Sequence, residues 1–143
     1  MIDFCGLGSS LNTLHTPTGI FYDEQNQDLY ISNNGASTVL KWRVGAPNGT
    51  IVAGIMGSIG FSQNQLNDST GITVDPWKNL YVNDRANNRI QLFCYGNLTG
   101  ITIAGQGSGG AAFSNSYAIQ LDSRQNLYVA EYNRARVLKF NKL

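Results

Sequence analysis

The chain has 143 residues, with Lys plus Arg at 10 against Asp plus Glu at 9, for a net charge of +1. That length suits one modest domain able to bury a core without metal or disulfide staples. Charged residues are only 13%, about half the usual ~25%; with no basic excess, a binder that works by neutralising nucleic-acid phosphates is disfavoured, and no apolar run approaches the ~20 residues of a membrane-spanning helix.

In chain order, residues 1–6 come first. Ile2-Asp3-Phe4-Cys5-Gly6 reads as an outer, fourth strand, because Gly6 precedes Gly19 by the same spacing that separates Gly105 from Ala118. Residues 14–57 then hold Gly19-Ile20-Phe21-Tyr22-Asp23, Asp28-Leu29-Tyr30-Ile31, Val39-Leu40-Lys41-Trp42 and Thr50-Ile51-Val52-Ala53-Gly54. Residues 66–107 repeat the pattern with Gly71-Ile72-Thr73-Val74-Asp75, Asn79-Leu80-Tyr81-Val82, Ile90-Gln91-Leu92-Phe93 and Ile101-Thr102-Ile103-Ala104-Gly105. Residues 113–143 repeat it again with Ala118-Ile119-Gln120-Leu121-Asp122, Asn126-Leu127-Tyr128-Val129 and Val137-Leu138-Lys139-Phe140, and carry no fourth strand.

The period is 52 from Asp23 to Asp75 and 47 from Asp75 to Asp122. Short alternating strands repeating near 50 residues predict β-propeller blades. Asp, Pro, Lys and Asn cluster between first and second strands, where Asp bonds the backbone two residues on and Asn accepts a left-handed turn. No segment has helical periodicity, so the fold class is all-β, with about three four-stranded blades per chain. Propellers close with roughly 4–8 blades, so three are half of a six-bladed ring. Either a second copy completes it as a homodimer, residues 1–6 filling the partner's third blade, or the chain is a fragment of a longer propeller protein.

These residues resemble NHL repeats. The second unit carries the resemblance most fully, with Gly71-Ile72-Thr73-Val74-Asp75, Asn79-Leu80-Tyr81-Val82-Asn83-Asp84 and Asn87-Asn88-Arg89-Ile90-Gln91-Leu92-Phe93. The third departs at Glu131 and Arg134, and the first at Asn33 and Thr38. The resemblance implies a propeller that binds protein or RNA, senses a ligand, or is related to amidating lyases and lactonases.

Candidate chemistry is sparse. Asp84/Arg89 and Glu131/Arg136 recur at one repeat position and are expected to be ion pairs ordering the loop between second and third strands. Asp23, Asp75 and Asp122 are expected to cap turns. His15 is the only histidine, too few for a zinc-hydrolase centre. No Gly-x-Ser-x-Gly elbow is present, and the Gly105–Gly110 stretch lacks the ending of a phosphate loop. A catalytic residue and a cofactor are therefore not assigned; calcium on oxygen ligands is the metal the sequence leaves open, with no motif to fix it.

Cys5 and Cys94 fall at different repeat positions and are expected to be buried thiols. Asn48, Asn67 and Asn97 head glycosylation sequons and point to an extracellular or ectodomain setting. The non-repeating aromatics Trp77, Tyr95, Tyr117 and Tyr132 are the candidates for a contact surface. The expected function is a non-enzymatic interaction module binding a protein, peptide or glycan, with Trp77, Arg85, Asn87, Tyr132 and Arg134 as ligand residues. The alternatives are a lyase- or lactonase-like enzyme with an oxygen-ligated metal, and an RNA-binding domain.

Overall fold

The computed structural model describes residues 10–105 and 113–142. The expected strand at 1–6, Cys5 and the glycines at 107, 109 and 110 lie outside them. The described residues form eleven strands, and their only helical turns are two short 3-10 turns, Asn34–Ala36 and Arg85–Asn87.

Blade 1 contains β1 (Pro17–Asp23), β2 (Asp28–Asn33), β3 (Thr38–Arg43) and β4 (Thr50–Gly54), hydrogen-bonded in that order. Blade 2 repeats the meander with β5 (Ser69–Val74), β6 (Leu80–Asp84), β7 (Arg89–Phe93) and β8 (Ile101–Gly105). Blade 3 has β9 (Ser116–Leu121), β10 (Leu127–Glu131) and β11 (Arg136–Phe140). Every pairing is antiparallel, and the register repeats: Ile20 faces Ile31, Ile72 faces Val82 and Ile119 faces Val129.

Strand alternation gives each blade two apolar sides. Between blades 1 and 2, Tyr30, Val39 and Ala53 meet Ile72, Val74, Leu80, Val82 and Phe93, with Leu66 between them. Between blades 2 and 3, Ile90 and Ala104 meet Ile119, Leu127 and Val129. Each large side chain buried this way contributes about 1.5–3 kcal/mol. The innermost strands β1, β5 and β9 lie side by side, so the sheets fan about one axis, as blades of a propeller do.

Buried polar contacts set the register between neighbouring blades. Ser32 Oγ bonds Ser69 Oγ at 2.8 Å. At the same repeat position, Asn83 Nδ2 donates to the Ser116 carbonyl at 2.8 Å, and Ser116 Oγ donates to Asn83 Oδ1 at 2.7 Å. Near the axis the backbones almost touch. A Cβ on Gly19 would overlap the Thr70 carbonyl oxygen, and one on Gly71 would stand 2.8 Å from the Tyr117 carbonyl oxygen.

Among the described residues, all nine non-glycine residues with positive φ occupy three repeat positions. Thr16, Asp68 and Asn115 precede the innermost strands; Gln27, Lys78 and Gln125 lie in the first turns; Ser37, Asn88 and Ala135 precede the third strands. This corrects the expectation for Asn79 and Asn126. The left-handed residue is the one before each. Asn79 and Asn126 instead donate side-chain bonds to Asp75 and Asp122. Asp75 Oδ1 accepts the amides of Trp77 at 2.9 Å and Asn79 at 2.8 Å, and Asp122 does the same for Arg124 and Asn126.

Cys94 is exposed with a free thiol, contrary to the expectation of burial. It falls just past the end of β7, where Phe93 takes the buried side. The close approach of the innermost strands makes Gly19→Ala costly: a loss of roughly 1–3 kcal/mol is expected, as for overpacking. Thermal unfolding measures it, and an unchanged midpoint would show that β1 and β5 are not in contact.

Candidate functional site

Each second strand ends on a side-chain acceptor. Asp84 Oδ1 accepts the Asn67 amide at 2.7 Å, Glu131 Oε1 the Ser114 amide at 2.5 Å, and Asn33 Oδ1 the His15 amide at 2.6 Å. The donors are repeat-equivalent, each standing just before a left-handed residue. The bond therefore ties the incoming connector to its blade. An amide oxygen serves as well as a carboxylate, which accounts for Asn33 in blade 1.

Blade 2 adds a buried clamp. Arg89 Nε meets Asp84 Oδ2 at 2.7 Å with both side chains buried. Its two Nη groups donate to the carbonyls of Phe61 at 2.8 Å, Ser62 at 2.9 Å and Gln65 at 3.0 Å. The guanidinium also lies 4.5 Å from the centre of the Phe61 ring, a cation–π contact. The pair thus fastens the connector between blades 1 and 2. Burial pushes the Asp84 carboxyl above the ordinary carboxylate range, against hydrogen bonds from Asn87, the Asn67 amide and Arg89.

Blade 3 has the same pair in a wetter setting. Arg136 Nε meets Glu131 Oε2 at 2.5 Å, and Arg134 Nη1 meets Glu131 Oε1 at 3.3 Å, with both arginines partly exposed. Removal of Glu131 from water raises its pKa. The bonds from Arg136 and the Ser114 amide, with the charges of Arg136 and Arg134, outweigh that and hold it below its ordinary 4.5.

The remaining candidates divide between two faces. The loops between second and third strands, and the residues leading into each innermost strand, form one face. Asn34 Nδ2 donates to Asp68 Oδ1 at 2.5 Å, and Arg85 pairs with Asp68 Oδ2. Arg85 Nη1 also donates to Asn115 Oδ1 at 2.7 Å and to the Tyr117 hydroxyl at 3.1 Å. Tyr117 and Tyr132 stand edge-to-face at 5.8 Å between centroids, both exposed. Arg85 Nε has no acceptor among the described residues. Asn87 lies behind this face, buried, donating to Asp84 and the Gly60 carbonyl.

Trp77 lies on the opposite face, in the turn between β5 and β6, with the Lys142 ammonium 5.4 Å from its ring centre. It lines a cleft between blades 2 and 3 with Tyr81, Ile103 and Phe140. The structure therefore separates Trp77 from Arg85 and Tyr132. Tyr117, a contact-surface candidate from the sequence, lies on the face of Arg85, and Asn115, which sequence reasoning left out, completes it. Its signal is the repeat register, which puts Asn115 at the position of Asp68. Among the described residues no three His, Cys, Asp or Glu side chains are grouped to hold a metal ion.

Of the sequon residues, Asn48 and Asn97 are exposed on the hairpins between third and fourth strands. Asn67 is half-buried in the connector, its amide held by Asp84.

No family model and no curated protein sequence matches the chain. Solved structures do. An auxiliary nutrient binding protein from Bacteroides thetaiotaomicron VPI-5482 superposes with a TM-score of 0.67 at 19% identity, covering 84% of this chain and 36% of its own. A protein of unknown function from the same organism gives a TM-score of 0.70 at 20% identity, covering 88% and 36%. A nidogen/laminin complex gives 0.66 at 17% identity, covering 90% and 44%. The chain thus spans less than half the length of these chains. At these identities the likeness establishes the β-propeller fold.

Two measurements check the roles of the acid–arginine pairs. Arg89→Met leaves Asp84 buried without its charge partner, so a loss of about 3–5 kcal/mol is expected; Arg136→Met is expected to lose less, because Arg134 and the Ser114 amide still hold Glu131. Similar losses would show that Arg134 does not compensate for Arg136. Because the folded-state pKa of Glu131 is lowered, its contribution to stability is present above 4.5 and fades as pH falls through the folded value. Glu131→Gln is expected to flatten that acid limb in unfolding midpoints taken from pH 7 downward. An unchanged limb would show that Glu131 is not preferentially ionised in the folded protein.

Proposed function

We propose that the chain is a recognition module of the propeller class, resembling NHL repeats over residues 14–57, 66–107 and 113–143. It binds a protein, peptide or glycan on the face built from Arg85, Asn115, Tyr117 and Tyr132, with Arg134 at its margin. The observation that carries this reading is the exposed Tyr117–Tyr132 pair with Arg85 laid 5.0 Å from the Tyr117 ring centre. Two rigid aromatics and an arginine among amide side chains are the residue types that dominate binding surfaces. They come from two loops and the start of β9 on one scaffold, and rigid folds commonly present variable binding groups this way. Likeness in fold to a nutrient binding protein and to a component of a nidogen/laminin complex is compatible with a binding role.

The exposed Asn48 and Asn97 support an extracellular or ectodomain setting. Expression through a secretory pathway is expected to add glycan mass at both, removed by Asn48→Gln and Asn97→Gln. No added mass would argue against that setting.

The binding face is tested with a glycan array and a displayed-peptide library. Ligands recovered on the wild type are expected to be lost with Tyr132→Ala or Arg85→Ala and kept with Trp77→Ala. The reverse pattern would move the site to the opposite face.

A further inference from the structure

We infer that the cleft between blades 1 and 2 binds a small organic acid, with an apolar body held between the blades and its carboxylate set against the Lys41 ammonium and the Tyr30 hydroxyl. The site is separate from the face of Arg85 and Tyr132, and the inference does not rest on the reading of that face.

The cleft has a volume of about 370 Å³, within the usual range of small-molecule sites. Both of its walls, blade 1 and blade 2, lie within the described residues. It opens at the end of the strands opposite to Arg85, beside the hairpin that joins β7 to β8. The wall is mainly apolar, from Val52, Leu80, Phe93 and Leu98. An apolar wall with a few converging polar groups is the usual make-up of a ligand site.

The polar groups come from one row of blade 1. Tyr30 on β2 and Lys41 on β3 are directly opposed across antiparallel strands, so their side chains leave the same side of the sheet as close neighbours. The Lys41 ammonium lies 6.0 Å from the centre of the Tyr95 ring, which blade 2 presents across the cleft.

The hydroxyl is a donor without an acceptor. Tyr30 is 3% exposed, and its hydroxyl has no hydrogen-bond partner among the described residues. In blade 3 the equivalent Tyr128 donates to Asp122, the acid of the first turn, at 3.3 Å. Asp23 holds that position in blade 1, but its Oδ2 already accepts Asn26 Nδ2 at 2.9 Å and the Lys78 ammonium at 2.7 Å. Burial and the charges of Asp23 and Asp28 push the Tyr30 pKa up to about 12, so the hydroxyl keeps its proton and can donate it. A buried hydroxyl left unbonded is unfavourable; a carboxylate oxygen supplies the acceptor.

The charge around the cleft is complementary to such a group. Three cations, Lys41, Arg43 and Lys78, share two carboxylates, Asp23 and Asp28. Arg43 holds Asp28 at 3.1 Å, while Lys41 stands off at 3.9 Å. Lys41 is therefore the loosely held cation, and the positive charge in excess suits one anion. Repetition of the fold does not account for this arrangement. At the junction between blades 2 and 3, Leu92 stands in place of Lys41 and Gln125 in place of Lys78. The apolar walls recur from blade to blade; the two lysines belong to this junction.

The inference is tested by isothermal titration with hydrocinnamate, isocaproate and octanoate, each beside its neutral amide. At least one acid is expected to bind at one per chain, about tenfold or more tighter than its amide, as a charge-assisted bond requires. Lys41→Met is expected to remove that preference for the acid. Tyr30→Phe is expected to weaken the acid about threefold or more with no fall in the unfolding midpoint, since no residue loses a partner. Lys142→Met, at the other junction, is expected to change nothing. Absence of binding by all three acids would overturn the inference, as would equal binding of acid and amide, or equal losses with Lys41→Met and Lys142→Met. Binding of a peptide ending in phenylalanine where the free acids fail would also overturn it, by giving the cleft to a chain terminus. Ligands lost with Tyr132→Ala but kept with Lys41→Met would belong to the other face, so the two readings fail separately.

Discussion

The architecture depends on one bond made three times: a backbone amide of the incoming connector, given to a side-chain oxygen at the end of a second strand. His15, Asn67 and Ser114 give it, and Asn33, Asp84 and Glu131 receive it. An unpaired amide in that part-buried position would be costly. The bond fixes where each connector enters, which fixes the innermost strand, which places the next blade. The same loops carry the exposed groups of the binding face. Scaffold and surface are thus neighbours in sequence but chemically separate: the acidic residue faces inward, and the residue after it, Arg85 or Tyr132, reaches outward.

Much of this was legible in the chain because the fold repeats. The near-fifty period, the Leu-Tyr-Val strands and the recurrence of Asp75 and Asp122 gave the blades, their register and their turn caps. The recurrence of Asp84/Arg89 and Glu131/Arg136 also pointed to an internal role. What the period did not show is what each arginine holds. Arg89 grips carbonyls in the connector at Phe61, Ser62 and Gln65, and backbone carbonyls have no signature in a sequence. Asn87 looked like a free loop residue because its partners, Asp84 and the Gly60 carbonyl, come together only through folding. The left-handed positions were missed for a related reason. Backbone bonds such as Lys78 N to the Asp75 carbonyl and Gln125 N to the Asp122 carbonyl hold them, so residues of no special propensity can occupy them.

The candidate site was legible only in part, since function in a repeat protein lies where the repeat is broken. Trp77, Tyr117 and Tyr132 break it and are exposed, but pattern alone did not say that Trp77 lies at the other end of its strand from Arg85. The strand order settles that: a turn between first and second strands and a loop between second and third lie at opposite ends of β6.

Among the described residues, blade 2 alone is flanked on both sides, has four strands, and has its connector gripped by a buried guanidinium. Opening free energy in a protein is distributed according to such local burial and bonding. The amides of β6 and β7 are accordingly the slowest to exchange with solvent deuterium. Those of β1 and β11 open by fluctuations that leave the central sheet intact. Within these residues blade 2 is the kernel on which the flanking sheets rest.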